Sequence, residues 1–305
     1  MAGQMLDYIK MTLKDVQGLE REKTIFFMSI SPIEVHGPHL PLGTDVFVAE
    51  ELQRRYQEVL EKEFPQFSLV KLPPLFLGAD ALPVNGSLSI PAPLVRKVLL
   101  SLAKGLARQG FRYLFLSDNH GGPRHQLAVE TAARKLWKKH RFYLVNPFGL
   151  VFRCMVQHNP EFMEKSGLEP GCCGDDADAH AGTNETSLML AINAGLVKRE
   201  YKNIPPSTLS RPSPRLLFFS RLVKVISPRL SEDLQHLANL LAWVKAPKML
   251  PYMGAPAIAA PGAGEAMLQA RVEVGLQLFR QALKGEEVKI QPFLCQVPLL
   301  LYLPE

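Results

Sequence analysis

The sequence predicts an α/β fold, a three-layer α/β/α sandwich built around a mostly parallel central sheet. Short apolar runs of the kind that form buried strands alternate with segments whose apolar residues recur every three to four positions. This alternation is typical of a parallel sheet covered on both faces. The chain has 305 residues, of which 47% are hydrophobic, enough for a large core. Because no repeat or clear linker divides it, we predict a single domain over residues 1–305.

The first half of the chain contains the clearest elements. Four buried strands are predicted from apolar runs at residues 24–30, 67–72, 113–117 and 142–145. Helices are predicted between them from apolar spacing at residues 46–62, 93–109 and 124–139. Pro93 suits the first turn of the second helix, and Gly110 suits a left-handed cap at its end.

The second half continues the pattern less regularly. Helices are predicted at residues 183–193, closed by Gly195, and at residues 264–284. Thr183 is placed to cap the first of them. The five prolines within residues 205–228 predict an irregular connection rather than a domain linker, since the apolar stretch LLFF lies inside it.

Charge, cysteine content and hydropathy exclude several classes of protein. The formal charge of +6 is spread along the chain without a basic stripe or reader module, so nucleic-acid binding is not expected. The four cysteines form no Cys-x-x-Cys pair and no secretory signal precedes them, which predicts free thiols in a reducing cytoplasm. No stretch of 18 or more apolar residues occurs, so we expect a soluble protein without a membrane span.

Three polar clusters lie where ligands bind to open parallel sheets, at the carboxyl ends of the strands. The first, SPIEVHGPHLPLGTD at residues 31–45, follows the first predicted strand, and the second, SDNHGG at residues 117–122, ends the third. The third, DDADAHAGTNETS at residues 175–187, runs into a predicted helix. His180 and Glu185 flank the start of that helix, so both can face one pocket.

These clusters supply carboxylates and imidazoles, which suit Zn²⁺, Mn²⁺ or Fe²⁺ better than soft metals. The candidate ligands are Glu34, His36, Asp45, His120 and Glu185. Such a number exceeds the three protein groups of an open catalytic zinc site, and a carboxylate such as that of Asp45 can bridge two ions about 3.5–4 Å apart. The convergence of the clusters favours a dinuclear site. A mononuclear iron or manganese site of His36, Asp45 and His120 is the alternative.

Other residues have competing interpretations. His39, beside Pro38, either belongs to the substrate site or orients the loop as a partner of a ligand. The pair Cys172 and Cys173 lacks an assigned base, so it is not expected to act as a nucleophile. The absence of a Gly-x-Gly-x-x-Gly fingerprint, a phosphate-binding loop and a Gly-x-Ser-x-Gly elbow excludes dinucleotide binding, nucleotide hydrolysis and serine esterase chemistry.

The three clusters resemble the signatures of the creatininase (creatinine amidohydrolase) family. Residues 34–45, EVHGPHLPLGTD, are similar to its pattern Glu-x-His-Gly-x-His-Leu-Pro-x-x-Thr-Asp. Residues 118–122, DNHGG, resemble its second motif, and His180-Ala-Gly with Glu185-Thr-Ser resembles its third. The motifs occur in family order between residue 24 and about residue 195.

The resemblance implies an α/β/α sandwich, often hexameric, that carries two divalent cations, Zn²⁺ with Mn²⁺ or Fe²⁺, and hydrolyses C–N bonds of small-molecule amides. By position, Glu34, Asp45 and His120 would hold one cation. His36, the bridging Asp45 and a further carboxylate would hold the other. Creatinine-hydrolysing members have that carboxylate where this chain has Gly122, so Glu185 is the replacement.

Several positions differ from the creatinine-hydrolysing pattern. Those members have a Trp-Asp pair before the third-motif histidine, whereas this chain has no tryptophan there, and Asp176 is the candidate for substrate contact. Pro123 and Arg124 replace an asparagine, and residues 253–257, MGAPA, stand where many members have Gly-x-x-Gly-Asp-Pro. We therefore expect an amide other than creatinine, such as a formamide, and a C–N bond other than an ordinary peptide bond.

The expected mechanism uses a water activated between the two cations. His180 would shuttle a proton to the leaving nitrogen, because an imidazole titrates near neutral pH. The N–H groups of Gly121 and Gly122 would stabilise the developing oxyanion. A non-catalytic metal-binding subunit, with an assembly or regulatory role, is the alternative from another functional class.

Overall fold

The computed structural model describes residues 5–207 and 211–302. Its centre is a sheet of five strands in the order β1-β3-β2-β4-β5, and every pairing is parallel. The strands are β1 Leu6–Asp7, β2 Thr24–Ser29, β3 Ser68–Lys71, β4 Tyr113–Ser117 and β5 Tyr143–Val145. The predicted α/β fold with a parallel sheet between helices is confirmed. Of these five strands, only the two-residue β1 was not predicted.

The α-helices of the described residues cover both faces of this sheet. They are α1 Leu13–Gly18, α2 Thr44–Glu63, α3 Ala92–Arg108, α4 Pro123–His140, α5 Phe148–Val156, α6 Pro160–Ser166, α7 Thr183–Asn193, α8 Pro214–Val223, α9 Pro228–Val244 and α10 Pro261–Leu283. Short 3₁₀ turns lie at Tyr8–Lys10, Arg21–Lys23, Ala194–Leu196, Arg199–Asn203, Pro256–Ile258 and Pro298–Tyr302. None of the described helices is long and apolar enough to cross a membrane.

The five helices predicted from apolar spacing all form, with ends within a few residues of the predicted ones. Gly110 follows α3 with a φ of 89°, the left-handed conformation expected of it. Gly195 instead lies in the 3₁₀ turn that extends α7. The cap of α7 also differs, because Thr183 is its first residue and the carboxylate of Asp178 accepts hydrogen bonds from Thr183 N and Asn184 N.

The prediction of an irregular connection over residues 205–228 was wrong for the second half of this segment. Helix α8 forms there, although residues 208–210 lie outside the described part of the chain. Its first residue is Pro214, a position where the missing N–H costs no helical hydrogen bond. The prolines therefore mark helix starts as well as irregular backbone, and Pro228 opens α9 in the same way.

Two hydrophobic layers form because successive strand residues point to opposite faces of the sheet. On one face, Phe27 and Phe115 pack against Phe279 of α10, whose ring stacks on Phe115 at 4.1 Å between centroids. On the other face, Phe26 and Leu114 pack beneath α3 and α4. The sheet is thereby buried on both sides, as its continuous apolar strands require.

The register of the two central strands decides where the polar clusters meet. Ser29, the last residue of β2, pairs with Ser117, the last residue of β4. The segments that follow β2 and β4 therefore leave the sheet side by side at its carboxyl edge. Residues 31–45 and 118–122 follow directly, and α7 begins close to them.

Candidate metal centre

The first polar cluster forms a compact loop between β2 and α2. Gly37 has a φ of 62°, which allows the tight turn after His36, and its N–H donates to Pro251 O at 2.7 Å. Glu34 is held by the N–H of Leu82, 2.6 Å from its Oε1. Asp45 lies in the first turn of α2, where the helix end favours a negative charge.

One group of ligand atoms comprises Glu34, Asp45 and His120. His120 Nδ1 lies 3.1 Å from Glu34 Oε2 and 3.4 Å from Asp45 Oδ2. The other ring nitrogen, Nε2, lies 2.8 Å from the carbonyl oxygen of Ala79 and donates to it, because a carbonyl oxygen can only accept. In the neutral ring, Nδ1 therefore presents a lone pair to the two carboxylates.

A second group comprises His36, Asp45 and Glu185, with Glu185 in the first turn of α7. His36 Nε2 lies 3.4 Å from Asp45 Oδ1 and 3.6 Å from Glu185 Oε2. Its Nδ1 donates to Glu34 O at 3.0 Å, so Nε2 carries the lone pair of the neutral ring. Asp45 thus turns one oxygen toward His36 and the other toward His120. We call these five residues, Glu34, His36, Asp45, His120 and Glu185, the carboxylate–imidazole cluster.

The cluster fits divalent cations. Glu34 Oε2, His36 Nε2 and Asp45 Oδ2 are buried and have no hydrogen-bond partner among the described residues. Buried polar atoms are rarely left in this state, because each one costs about 1–3 kcal/mol when its partner is missing. Oxygen and imidazole donors at such spacing are the ligand types of Zn²⁺, Mn²⁺ and Fe²⁺.

The electrostatics of the cluster agree with this fit. Burial on its own would lower the pKa of His36, but Asp45 and Glu185 raise that pKa to about 10. Burial would raise the pKa of Glu34, yet the facing imidazoles, first that of His120, lower it below its ordinary value. The pKa of Asp45 is lowered for the same reason. The carboxylates therefore stay ionised, and a positive charge between them would stabilise them.

His180 lies against this cluster. Its ring centroid is 4.2 Å from that of His36, and the two histidines share a group of possible ligand atoms with Glu34. His180 Nε2 donates to Val35 O at 2.8 Å, which leaves Nδ1 as the nitrogen available to other groups. Trp243 of α9 places its ring 5.6 Å from that of His180. Sequence reasoning missed this indole, because Trp243 is remote from the three motifs.

The two motif glycines differ in their surroundings. A Cβ on Gly122 would lie 2.5 Å from Ala79 O and 2.5 Å from His120 Nε2, so no side chain fits there. A Cβ on Gly121 would make only ordinary contact, 3.4 Å from the ring of Phe152. A carboxylate at position 122 is thus excluded by the backbone packing of this chain, whereas Glu185 reaches the same cluster from α7.

Two predicted substrate residues and the paired cysteines lie outside these groups. His39 is buried, and its Nε2 lies 2.8 Å from Thr186 Oγ1. Asp176 accepts hydrogen bonds from His236 and from Asn239 Nδ2, the latter at 2.8 Å. Cys172 and Cys173 are free thiols, and burial raises the pKa of Cys173 to about 12, which makes it a poor nucleophile.

Comparison with known protein families identifies the family to which this chain belongs. The family model described as creatininase, creatinine amidohydrolase, matches residues 9–279. The chain belongs to the creatininase family. A mycofactocin precursor peptide peptidase of Mycobacterium ulcerans is 29% identical over 171 residues, which is 54% of this chain and 56% of that relative. The chain thus aligns with only about half the length of this curated relative.

Solved creatininase structures share the fold. One, from Bacteroides fragilis and provisionally assigned as a creatinine amidohydrolase, is 21% identical with a TM-score of 0.63, covering 92% of this chain and 98% of the other. A manganese form of creatininase is 16% identical with a TM-score of 0.60 and covers 92% and 99% of the two chains. Creatininases are metal-dependent hydrolases, and this member has residue groups able to hold a metal ion.

Proposed function

We propose that this protein is a two-metal amidohydrolase that cleaves the C–N bond of a small amide or cyclic amide. The observation that supports it most is the convergence of three buried atoms without partners, Glu34 Oε2, His36 Nε2 and Asp45 Oδ2. The division of the two Asp45 oxygens between His36 and His120 supports a pair of cations rather than one.

In this proposal each cation has its own ligand set. Glu34, Asp45 and His120 would hold the first, and His36, Asp45 and Glu185 would hold the second. Zn²⁺ is the primary candidate, with Mn²⁺ or Fe²⁺ as the other possibilities. When bound, such a pair supplies a water whose pKa is lowered toward neutrality.

The remaining roles fall to protein groups around the cluster. His180 Nδ1 would take up a proton and deliver it to the leaving nitrogen, because Nε2 is committed to Val35 O. The N–H groups of Gly121 and Gly122 would donate to the developing oxyanion. His39 and Asp176 would contribute to the substrate side, His39 through the loop that it holds against Thr186.

Creatinine is not the substrate in this proposal. Position 122 has no room for the carboxylate that creatinine-hydrolysing members carry there, and no Trp-Asp pair precedes His180. A formamide or a related small amide fits the expected chemistry. A peptide-derived amide is the second candidate, because the curated relatives are named as peptidases of the mycofactocin precursor. We further propose a cytoplasmic homo-oligomer, with the hexamer as the expected form.

Metal analysis coupled to a substrate screen tests the proposed function. Protein purified without chelator should hold two equivalents of metal and hydrolyse one class among formamides, lactams and short peptides. Glu185→Gln should hold about one equivalent, and we expect kcat to fall at least about 100-fold, since a ligand of the second cation is lost.

The outcomes separate this proposal from its alternatives. One redox-active, oxygen-dependent equivalent in the wild type would favour the mononuclear site of His36, Asp45 and His120. Two equivalents without hydrolysis of any amide would favour a non-catalytic assembly or regulatory subunit. His140→Gln, at the exposed end of α4, is the matched control and should retain both metal content and activity.

A further inference from the structure

Arg271 of α10 is an arginine buried within the core. It is 2% exposed, and its guanidinium contacts the amide oxygens of Asn119 and Asn184 and the sulfur of Met155. Its Nε has no hydrogen-bond partner among the described residues. Burial lowers the pKa of Arg271 to about 10, although the nearby carboxylate of Glu185 acts to raise it. The guanidinium therefore stays charged at neutral pH.

A buried cation held by neutral amides is costly, because removal of its charge from water is not offset by a paired carboxylate. An apolar side chain of similar volume would fill the same space at less cost. The position therefore calls for a reason other than packing, and the partners of Arg271 indicate it. Asn119 and Asn184 directly precede His120 and Glu185 in the chain.

Asn119 connects Arg271 to the carboxylate–imidazole cluster. Its Nδ2 donates to Asp45 Oδ1 at 2.8 Å and to Glu185 Oε1 at 3.0 Å, while its Oδ1 accepts from Arg271. The two ends of an amide differ in chemistry, since one only donates and the other only accepts. With the guanidinium in place, the oxygen faces Arg271 and the NH₂ group faces both carboxylates. The reversed amide would place an acceptor against two anions.

We propose that Arg271 is a positioning residue for the second cation of the cluster. Through Asn119 it fixes the Asp45 and Glu185 carboxylates that face His36, and through Asn184 it holds the start of α7 that carries Glu185. This inference rests on the two-metal centre of the proposed function. It deepens that proposal, because it assigns unequal support to the two metal positions: the Glu34 and His120 ligands of the first are held by Leu82 N and Ala79 O instead.

Titration of metal-free protein with Mn²⁺, followed by electron paramagnetic resonance, tests the inference. A spin-coupled pair signal reports that both positions are filled, whereas an isolated Mn²⁺ signal reports one. Arg271→Lys keeps the charge but lacks the planar fork, and Arg271→Met removes the charge. In both variants the second equivalent should bind about 10–100-fold more weakly, the usual effect of losing a residue that orients a ligand, while the first changes little.

Arg153→Lys is the matched control. Arg153 is similarly buried but pairs with Asp233 at 3.0 Å and with the carbonyl oxygens of Gln291 and Pro292, away from the cluster. This variant should lose stability without changing the ratio of the two Mn²⁺ affinities. Asn119→Ala serves if Arg271→Met does not fold, and it should weaken the second equivalent by a similar factor. Combining Asn119→Ala with Arg271→Lys should weaken the second equivalent by less than the product of the two single effects, because the two substitutions share the Asn119 amide and only the contact with Asn184 is separate.

The inference is overturned if the Arg271 and Asn119 variants bind both Mn²⁺ equivalents with wild-type affinities, or if they weaken both by the same factor and so leave the affinity ratio unchanged, as expected of the control. A wild type that binds only one Mn²⁺ overturns the proposed function and the inference together. A wild type that binds two, with unaltered binding in the variants, overturns the inference alone.

Discussion

At the scale of single residues, Asp45 is the point on which the whole centre depends. It is buried, it lies in the first turn of α2, and its two oxygens face different imidazoles. No other member of the carboxylate–imidazole cluster belongs to both groups of ligand atoms. Substitution of Asp45 would therefore disturb both proposed metal positions, whereas substitution of Glu34 or Glu185 acts on one of them.

Gly122 gives a test of how tightly His120 is held. In Gly122→Ala the new Cβ would lie 2.5 Å from Ala79 O and from His120 Nε2, so the hydrogen bond that fixes this ring must break or shift. We expect a loss of about 1–3 kcal/mol in the free energy of unfolding and at least about tenfold weaker metal binding. Denaturant unfolding and metal titration measure the two effects.

The adjacent glycine is the control for this substitution. Gly121→Ala makes only an ordinary contact with Phe152, so it should keep wild-type stability and metal content. Equal effects of the two substitutions would contradict the claim that position 122 is closed to side chains.

His39 predicts a dependence of stability on pH. Burial, followed by the charge on His36, lowers the pKa of His39 from 6.5 to about 4. The unfolded chain therefore binds the proton more readily, and the stability contributed by neutral His39 is present above pH 6.5 and lost as the pH falls to about 4. In urea titrations of metal-free protein, the free energy of unfolding of wild type relative to His39→Gln should decrease as the pH is lowered from 6.5 to about 4. A difference that is constant with pH would contradict the lowered pKa.

The residues of the proposed site were predictable only in part. The five cluster residues and His180 stand in dense polar segments that packing does not explain, so they can be identified from the sequence. Asn119 lies within one such segment, but nothing local shows which way its amide points. Arg271 and Trp243 belong to helices with no polar motif, and only the folded chain brings them to the site.

At the scale of elements, the contact between α7 and α10 positions Glu185. Gly264 of α10 lies so close to α7 that a Cβ would collide with the backbone of Ser187 and Leu188. Ser187 Oγ also accepts from Ala260 N at 3.1 Å, just before α10 begins. Two helices that are far apart in sequence are thereby held at backbone contact. Arg271 of α10 can then donate to Asn184, the residue before Glu185 in α7.

Gly264→Ala should separate these helices. The added methyl group has no space, so we expect roughly 3 kcal/mol of destabilisation and a loss of the second metal equivalent before the first. Gly262→Ala, in the same helix, meets nothing within 4 Å and should be neutral or stabilising by about 0.5 kcal/mol. Thermal unfolding with metal analysis compares the two, and similar melting temperatures would contradict the close packing.

The predicted elements succeeded where periodicity is strong. Strands β2 to β5 are short and mainly apolar, and the helices between them carry one clear apolar stripe. Five of the described helices, α1, α5, α6, α8 and α9, were not predicted. Proline is the first residue of α6, α8 and α9. Because proline is also a strong signal for irregular backbone, its presence hid these helices unless the residues after it were considered.

At the scale of the whole molecule, the proposed cations would act as cross-links between distant parts of the chain. Their ligands come from the loop after β2, from α2, from the loop after β4 and from α7. Since only the folded chain brings these groups together, metal binding should stabilise the native state by mass action. Each position adds about 2.7 kcal/mol when the free metal is 100 times its Kd.

Chelation therefore provides a global test. Treatment with EDTA should lower the melting temperature, and addition of Zn²⁺ or Mn²⁺ should restore it. Glu185→Gln should retain only part of this metal-dependent shift, because one position remains. A melting temperature that is unchanged by chelator, in protein shown to lose its metal, would contradict the cross-linking role.

The spread of the cluster along the chain also bears on how the protein matures in a cell. During translation Glu34, Asp45 and His120 leave the ribosome well before Glu185, and Arg271 emerges later still. In the proposed two-metal centre, synthesis would thus complete the ligand set of one cation well before that of its neighbour, although each set assembles only on folding.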